Sequence, residues 1–125
     1  MEQILEQTIA AFNKRNYDLA AKIAESGCET AQGRDEAFWL GLHETCEGYA
    51  YLMDDKLAPA ERKLVAAMEK LRNFGFRYNN FEITNALAGV RQCVEEIRAV
   101  RSRRKKTFDV TLLPHLRLEA KADDS

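Results

Sequence analysis

Apolar residues recur every three or four positions through most of this chain, a spacing that predicts a series of amphipathic α-helices. The longest such pattern runs from 35 to 55, and one stripe of it contains Phe38, Leu42, Thr45, Tyr49 and Leu52. Four further residues widen the stripe into a broad arc, namely Trp39, Cys46, Ala50 and Met53. A helix at the surface has a narrower apolar face, so we expect this helix to be central and covered by the others.

Two glycines lie inside this central helix, seven residues apart and on nearly the same face. Gly41 and Gly48 each cost about 1 kcal/mol of helix stability relative to alanine. A close approach by a neighbouring helix backbone would explain their presence. We also expect the carboxylate of Asp35 to cap the first turn of this helix.

Shorter amphipathic patterns come before the central helix. The first is predicted at 2–12, with an inner face of Leu5, Thr8, Ile9 and Phe12. Asn16 is expected to cap a second helix, whose inner face contains Tyr17, Ala20, Ala21, Ala24 and Cys28. Small side chains dominate that face, which favours close packing on a partner helix.

Two more helices are predicted after the central one. The fourth should run from 58 to 74, with Pro59 tolerated in its first turn and Gly75 ending it; its inward residues are Leu64, Met68 and Leu71. An aromatic and polar connection at 76–80 leads to the fifth helix. The stripe of that helix has the most regular spacing in the chain and contains Ile83, Leu87, Val90, Val94, Ile97 and Val100.

The chain changes character after residue 106. Residues 107–118 are apolar but interrupted by proline, which predicts an extended segment packing Phe108, Val110, Leu112 and Leu113 on the body. Residues 119–125 indicate a solvated tail. The predicted fold is all-α, a single compact bundle of about five helices at 1–106 with tetratricopeptide-like hairpins, followed by the extended C-terminal segment and tail at 107–125.

Charge is unevenly distributed although the formal net charge is −1. Residues 1–90 carry 14 acidic and 10 basic side chains (net −4), whereas residues 91–106 carry 2 acidic and 7 basic ones (net +5). An apolar run of about 18 residues, which a membrane span needs, is absent, and the amino terminus opens acidic where a signal peptide opens basic. We expect a soluble, cytoplasmic protein with no membrane span and no cofactor.

Three cysteines, an odd number, are widely spaced and each falls on an apolar helical stripe: Cys28, Cys46 and Cys93. This placement favours reduced core residues over a disulfide or a zinc site.

Three stretches of this sequence resemble the family called domain of unknown function 309, found in bacteria, archaea and plastid lineages. They are FNKRNY at 12–17, EAFWLGLHETCEGYAYL at 36–52 and DDKLAPAERKLVAAMEKL at 54–71. The resemblance covers roughly 12–100 and implies a compact bundle of about five helices without an established activity. Family members generally carry a His-Glu pair that would fall on Ala21 and Lys22 here, so the resemblance implies that any site built on that pair is absent or altered.

A cluster with ligand-like spacing lies on one flank of the central helix. His43 and Glu47 are one helical turn apart, Glu44 lies beside them, and Asp54 continues the flank. An imidazole and carboxylates could hold a metal ion in a metal-dependent enzyme. A di-metal site within a bundle, however, draws ligands from several helices. The alternative, which we favour, is a polar edge on which His43 hydrogen-bonds Glu47 or a neighbouring helix.

A basic run, RAVRSRRKK, occupies residues 98–106. It could bind a nucleic-acid backbone, but it contains no aromatic residue to stack on bases and the rest of the chain is acidic. Cations also complement the dipole at a helix carboxyl end. We therefore favour a solvated helix end, with the binding of an acidic protein surface and weak nucleic-acid binding as alternatives. The candidate residues are Arg103, Arg104, Lys105 and Lys106.

Aromatic residues concentrate in the connection between the fourth and fifth helices, where Phe74, Phe76, Tyr78 and Phe81 accompany Arg72 and Arg77. Such a cluster either plugs the end of a bundle or lines a groove for a partner. The sequence has no Gly-x-Ser-x-Gly elbow and no phosphate-binding glycine loop. We predict a non-enzymatic protein-interaction module whose candidate partner-binding residues here are Arg72, Phe76, Arg77 and Tyr78. The partner is unidentified, and a homodimer is a further alternative.

Overall fold

The computed structural model describes residues 2–119, and this part of the chain is mainly α-helical. Its helices are α1 (Glu2–Asn13), α2 (Tyr17–Thr30), α3 (Arg34–Met53), α4 (Leu57–Leu71) and α5 (Ile83–Arg101). A short antiparallel hairpin of β1 (Arg77–Tyr78) and β2 (Phe81–Glu82) separates α4 from α5. Each helix packs on the next one along the chain. The predicted all-α bundle is confirmed. Among residues 2–119, none of the helices has the length and apolar composition of a membrane span.

The central position of α3 is confirmed by the burial of its arc. The five stripe residues are buried, as are Trp39 and Cys46, while Ala50 is half-buried. The prediction is wrong for Met53, which is 50% exposed. Met53 is the last residue of α3 and adjoins the exposed turn at 54–56, beyond the reach of the packed neighbours.

Glycines allow α3 to approach its neighbours closely. A Cβ built on Gly48 would lie 2.6 Å from Leu64 Cδ2 and 3.3 Å from the Leu64 amide nitrogen in α4. A Cβ on Gly41 would lie 2.9 Å from Leu71 Cδ2 in α4. The predicted close approach is therefore confirmed.

The observed helix ends agree in part with those predicted from the sequence. The Asn16 side chain accepts a hydrogen bond from the Leu19 amide at 3.3 Å and caps α2 as predicted. The prediction that Asp35 caps α3 is wrong, because α3 begins one residue earlier, after Gly33. Asp35 instead lies in the first turn and accepts a hydrogen bond from the Tyr78 hydroxyl. Helix α4 ends at Leu71 and a single 3₁₀ turn continues the chain to residue 74.

Residues 107–119, which we call the strap, run back across the bundle. Leu113 and Leu116 are buried, and Phe108 and Leu112 are half-buried. The predicted packing of Val110 is wrong, since its side chain is 54% exposed. The reason is that a one-turn 3₁₀ helix at Val110–Leu112 interrupts the extended backbone on which the prediction depended. Of the predicted tail, residues 120–125 lie outside the described residues.

The strap joins the hairpin to the end of α1. Leu118 forms an antiparallel bridge with Phe81, and the Glu82 amide donates to the Arg117 carbonyl at 3.0 Å. Leu116 exchanges two hydrogen bonds with the side chain of Asn13. The strap therefore closes the bundle by tying its last elements to its first.

Candidate functional site

The aromatic connection between α4 and α5 divides into a buried part and an exposed part. Phe74 and Phe81 are buried and Tyr78 is half-buried, and the ring of Phe38 in α3 lies 5.0–5.8 Å from the rings of all three. These three plug the end of the bundle. Phe76 is 82% exposed and takes no part in the plug.

The start of α3 holds this plug in place through two side chains that were not predicted as site residues. The guanidinium of Arg34 lies 4.7 Å from the Phe74 ring centre and donates to the Asn73 carbonyl at 2.9 Å. The hydrogen bond from Tyr78 to Asp35 raises the pKa of the Tyr78 hydroxyl above its ordinary value. Contacts between residues about 40 positions apart leave no periodic signal in the sequence, so Arg34 was missed.

The backbone around Phe76 is held by the hairpin, which the sequence analysis also missed. The Ile83 amide donates to the Phe76 carbonyl at 2.9 Å. Asn79 and Asn80 form the turn with φ of 51° and 65°. Consecutive asparagines between apolar residues are typical of tight hairpin turns, so this signal was present in the sequence.

A shallow, open depression of about 350 Å³ adjoins Phe76. We call this surface the hairpin face, and its lining residues are Phe76, Arg77, Glu82, Thr84 and Glu119. Arg77 and Glu119 form an ion pair across it. The face therefore combines one large exposed aromatic ring with charges of both signs.

The predicted partner-binding residues of this connection differ in whether their side chains are already engaged by other residues of the chain. Tyr78 is engaged with Asp35 and the buried rings, and Arg77 with Glu119. Arg72 is exposed and has no ion-pair partner within the described part of the chain. Phe76 and Arg72 are thus the two members of the predicted set that remain open to a partner.

The basic end of α5 is a second, separate surface. Arg103, Arg104, Lys105 and Lys106 are all exposed. Lys105 pairs with Glu96 at 2.6 Å, while Arg103 and Lys106 have no ion pair among residues 2–119. Helix α5 has 19 residues and is about 28 Å long, so its basic end and the hairpin face lie far apart. The structure does not bring the predicted partner-binding residues into one site.

The candidate metal cluster on α3 is occupied by other interactions. His43 Nδ1 lies 3.0 Å from the Ala21 carbonyl oxygen, an acceptor, so Nδ1 carries the hydrogen of that bond. Lys63 pairs with Glu47 at 3.1 Å and Lys70 with Glu44 at 2.7 Å. No group of three or more histidine, cysteine or acidic side chains within 2–119 is arranged to hold a metal. The favoured alternative, a polar edge, accounts for each of these contacts.

Comparison with family models, curated proteins and solved structures found no match for this chain. The resemblance to domain of unknown function 309 therefore stays a prediction that depends on the quoted stretches.

The three cysteines are free thiols. Cys46 and Cys93 are buried and Cys28 is half-buried. Burial raises the pKa of Cys93 to about 11 and moves the pKa of the other two thiols in the same direction. The raised pKa values disfavour the thiolate, which is the nucleophilic form of the side chain.

Proposed function

We propose that this protein is a non-enzymatic helical module that binds a protein partner through the hairpin face. The observation that supports this most strongly is the 82% exposure of Phe76 on a backbone held by hydrogen bonds. Burying a phenylalanine side chain completely is worth about 1.5–3 kcal/mol. A partner that covers Phe76 would gain much of this energy.

The chemistry of the face indicates what kind of partner segment it accepts. An apolar side chain of the partner would pack on the Phe76 ring and fill the depression beside it. Charged side chains of both signs at the rim, those of Arg77, Glu82 and Glu119, would surround that apolar residue. An apolar centre with a charged rim is the usual composition of a protein interface.

The proposal is tested by affinity capture from a lysate of the source organism, read out by quantitative mass spectrometry. Phe76→Ala is the informative variant, and Val110→Ala is its matched control because Val110 is also an exposed apolar residue, on the strap. We expect proteins captured by the wild type and by Val110→Ala to be lost with Phe76→Ala. Identical captured sets for all three would contradict the proposal. Tyr78→Ala is unsuitable, since it would damage the buried plug.

The two other functional hypotheses have less support from the described residues. A metal at His43, Glu44 and Glu47 would have to displace Lys63 and Lys70 from the two carboxylates; metal well below one equivalent in untagged protein would dispose of it. Nucleic-acid binding would depend on Arg103, Arg104 and Lys106. Binding without salt dependence would count against it, because phosphate contacts release counterions.

A further inference from the structure

The turn between α5 and the strap conflicts with the preference of its own sequence. Residues 102–107 read SRRKKT, without glycine or proline and rich in arginine and lysine, which are good helix formers. Nevertheless α5 ends at Arg101 and Arg103 adopts φ of +64°. Residues other than glycine rarely adopt this left-handed conformation. Backbone hydrogen bonds close the turn, from the Arg103 amide to the Val100 carbonyl at 3.0 Å and from the Arg104 amide to the Ala99 carbonyl at 2.9 Å. The contacts of the strap that follows constrain it further.

The apolar contacts of the strap supply part of that constraint. Leu113 and Leu116 are 6% and 2% exposed. Pro114 lies over Gly89 of α5, so closely that a Cβ on Gly89 would lie 2.8 Å from Pro114 Cβ. The Cys93 thiol lies 3.6 Å from the Leu112 carbonyl oxygen. The groove beneath the strap is thus shaped for a Leu-Leu-Pro-x-Leu sequence.

Hydrogen bonds to the main chain of the strap supply the remaining constraint on the turn. Asn13 Nδ2 donates to the Leu116 carbonyl at 3.0 Å, and the Leu116 amide donates to Asn13 Oδ1 at 2.8 Å. The Glu119 amide donates to the Asn80 carbonyl at 2.7 Å. One asparagine that both donates to and accepts from a single residue holds an extended segment much as a neighbouring strand would.

We propose that the strap exchanges between two copies of this chain, each strap docking in the groove of the other, while α5 continues as a helix through residues 102–107. A second copy carries the one sequence known to fit the groove, because the strap of the same chain occupies it. The contacts of residues 112–119 described above involve residues 13–93 and can form equally well between two molecules. The left-handed conformation of Arg103 exists only in the closed monomer, and its release favours the exchange. Exchange of an identical element is a low-cost route to a dimer.

The hinge is tested by two substitutions with opposite expected effects. Arg103→Gly removes the penalty for the left-handed conformation and disfavours helix continuation. The dimerisation constant, defined here as the association constant of the dimer, should therefore fall about tenfold. Arg103→Val makes the left-handed turn less favourable, so the constant should rise by a similar factor. Dimer fractions are measured by sedimentation equilibrium after refolding at high protein concentration, which allows the straps to redistribute.

A matched control separates the hinge from general effects on stability. Asp55 also has a left-handed φ, +60°, but it lies in the turn between α3 and α4. Asp55→Gly should relieve comparable local strain without changing the dimerisation constant. Monomer at every concentration for Arg103→Val, or equal shifts for the Arg103 and Asp55 variants, would overturn the proposal.

Covalent capture identifies the groove as the site of exchange. Residues 82 and 117 face each other, because Phe81 and Leu118 form the adjacent antiparallel bridge. A chain carrying Glu82→Cys is refolded together with a chain of different mass carrying Arg117→Cys, under mild oxidation. We expect a disulfide-linked heterodimer, because the two thiols meet only when a strap docks on the other molecule.

Two further samples make the result decisive. Both substitutions in one chain should give an intramolecular disulfide, which shows that the pair can be oxidised. Glu82→Cys mixed with Asp109→Cys should give only the background of random collisions, since residue 109 hydrogen-bonds Glu96 in α5 rather than the hairpin. A heterodimer yield at this background, or a sedimenting dimer without the cross-link, would overturn strap exchange.

Discussion

Single glycines determine how closely the helices pack. Gly48 and Gly41 of α3 face Leu64 and Leu71 of α4. A Cβ on Gly27 of α2 would lie 2.5 Å from the Trp39 ring. The small residue in each pair accommodates a large one, and the large side chains fill the core. The cost in helix propensity is offset by this packing.

We expect Gly48→Ala to destabilise the protein although alanine is the better helix former. The gain in propensity is about 1 kcal/mol, whereas overpacking against Leu64 costs about 1–3 kcal/mol, so the net change should be a loss of up to about 2 kcal/mol. Urea denaturation measures it. Ser26→Ala, at an exposed position of α2, is the control and should change stability by less than about 0.5 kcal/mol. An increase in stability for Gly48→Ala would contradict the close packing.

A buried cluster of aromatic rings at the carboxyl end of α1 contains the hydroxyl group of Tyr17. The rings of Phe12, Tyr17 and Tyr49 lie 4.9–5.5 Å apart. Tyr17 is 3% exposed, and its hydroxyl has no hydrogen-bond partner among the described residues. Burial raises the pKa of Tyr17 to about 12.

This raised pKa makes a pH-dependent contribution to stability. The contribution is fully present below the unfolded pKa of about 10 and is lost as the pH rises toward 12, because the unfolded tyrosine ionises first. Tyr17→Phe keeps the ring and removes the titrating group. It should leave stability at pH 7 unchanged or slightly increased and should weaken the decline above pH 10. Urea denaturation at pH 7 to 11.5 tests this, and an unchanged alkaline decline would contradict it.

At the scale of elements, α4 and α5 are linked by a carboxylate held between two guanidinium groups. Glu61 Oε2 lies 2.8 Å from Arg98 Nε, and Glu61 Oε1 lies 2.7 Å from Arg101 Nη1. These hydrogen bonds lower the pKa of Glu61 below its ordinary value. Both arginines belong to the predicted basic run at 98–106. Part of the positive charge of that run therefore takes part in the contact between α4 and α5.

Glu61→Gln should cost less than about 1 kcal/mol at pH 7, because the arginines are about half exposed and solvent screens the pair. A lowered pKa gives stability that is present above the unfolded value of about 4.3 and is lost as the pH falls through the folded value. The difference between wild type and variant should therefore disappear in acid. Glu95→Gln, an exposed position on α5, is the control. A difference that persists at pH 2 would refute this account.

For the molecule as a whole, the strap turns a linear stack of helices into a closed structure. It ties α5 and the hairpin to Asn13 at the end of α1, across 103 positions of sequence. Its buried leucines belong to the same core as the central helix. The boundary predicted at 106 therefore separates two kinds of backbone rather than two independent units.

We expect Leu116→Ala to destabilise the whole bundle by about 2–5 kcal/mol, the usual range for a buried leucine. Trp39, the single tryptophan, is buried in α3 and reports on the centre of the bundle. Its fluorescence and the far-ultraviolet circular dichroism should show the same lowered midpoint in urea. Val110→Ala, on the exposed side of the strap, should change the midpoint little. An unchanged Trp39 midpoint would mean that the strap unfolds separately.

The predictions succeeded where a local pattern decides the structure. The inward residues of α1, the cap at Asn16 and the glycine contacts of α3 follow from helix period and residue type. They failed at Met53, Asp35 and Val110, where the position of a helix end or a single turn changed what a side chain touches. The candidate site was predicted as a region, but only Phe76 and Arg72 in it are open.

The sequence by itself determined the all-α class, the order of helices and which face of each is buried, because a 3.6-residue period and helix-breaking residues act within a few positions. The tertiary structure alone decided that Phe76 is exposed while its aromatic neighbours are covered, that lysines of α4 occupy the α3 carboxylates, and that the strap lies on α1. Each of these depends on contacts between residues tens of positions apart. Such contacts are set by how the elements pack together, which no local pattern specifies.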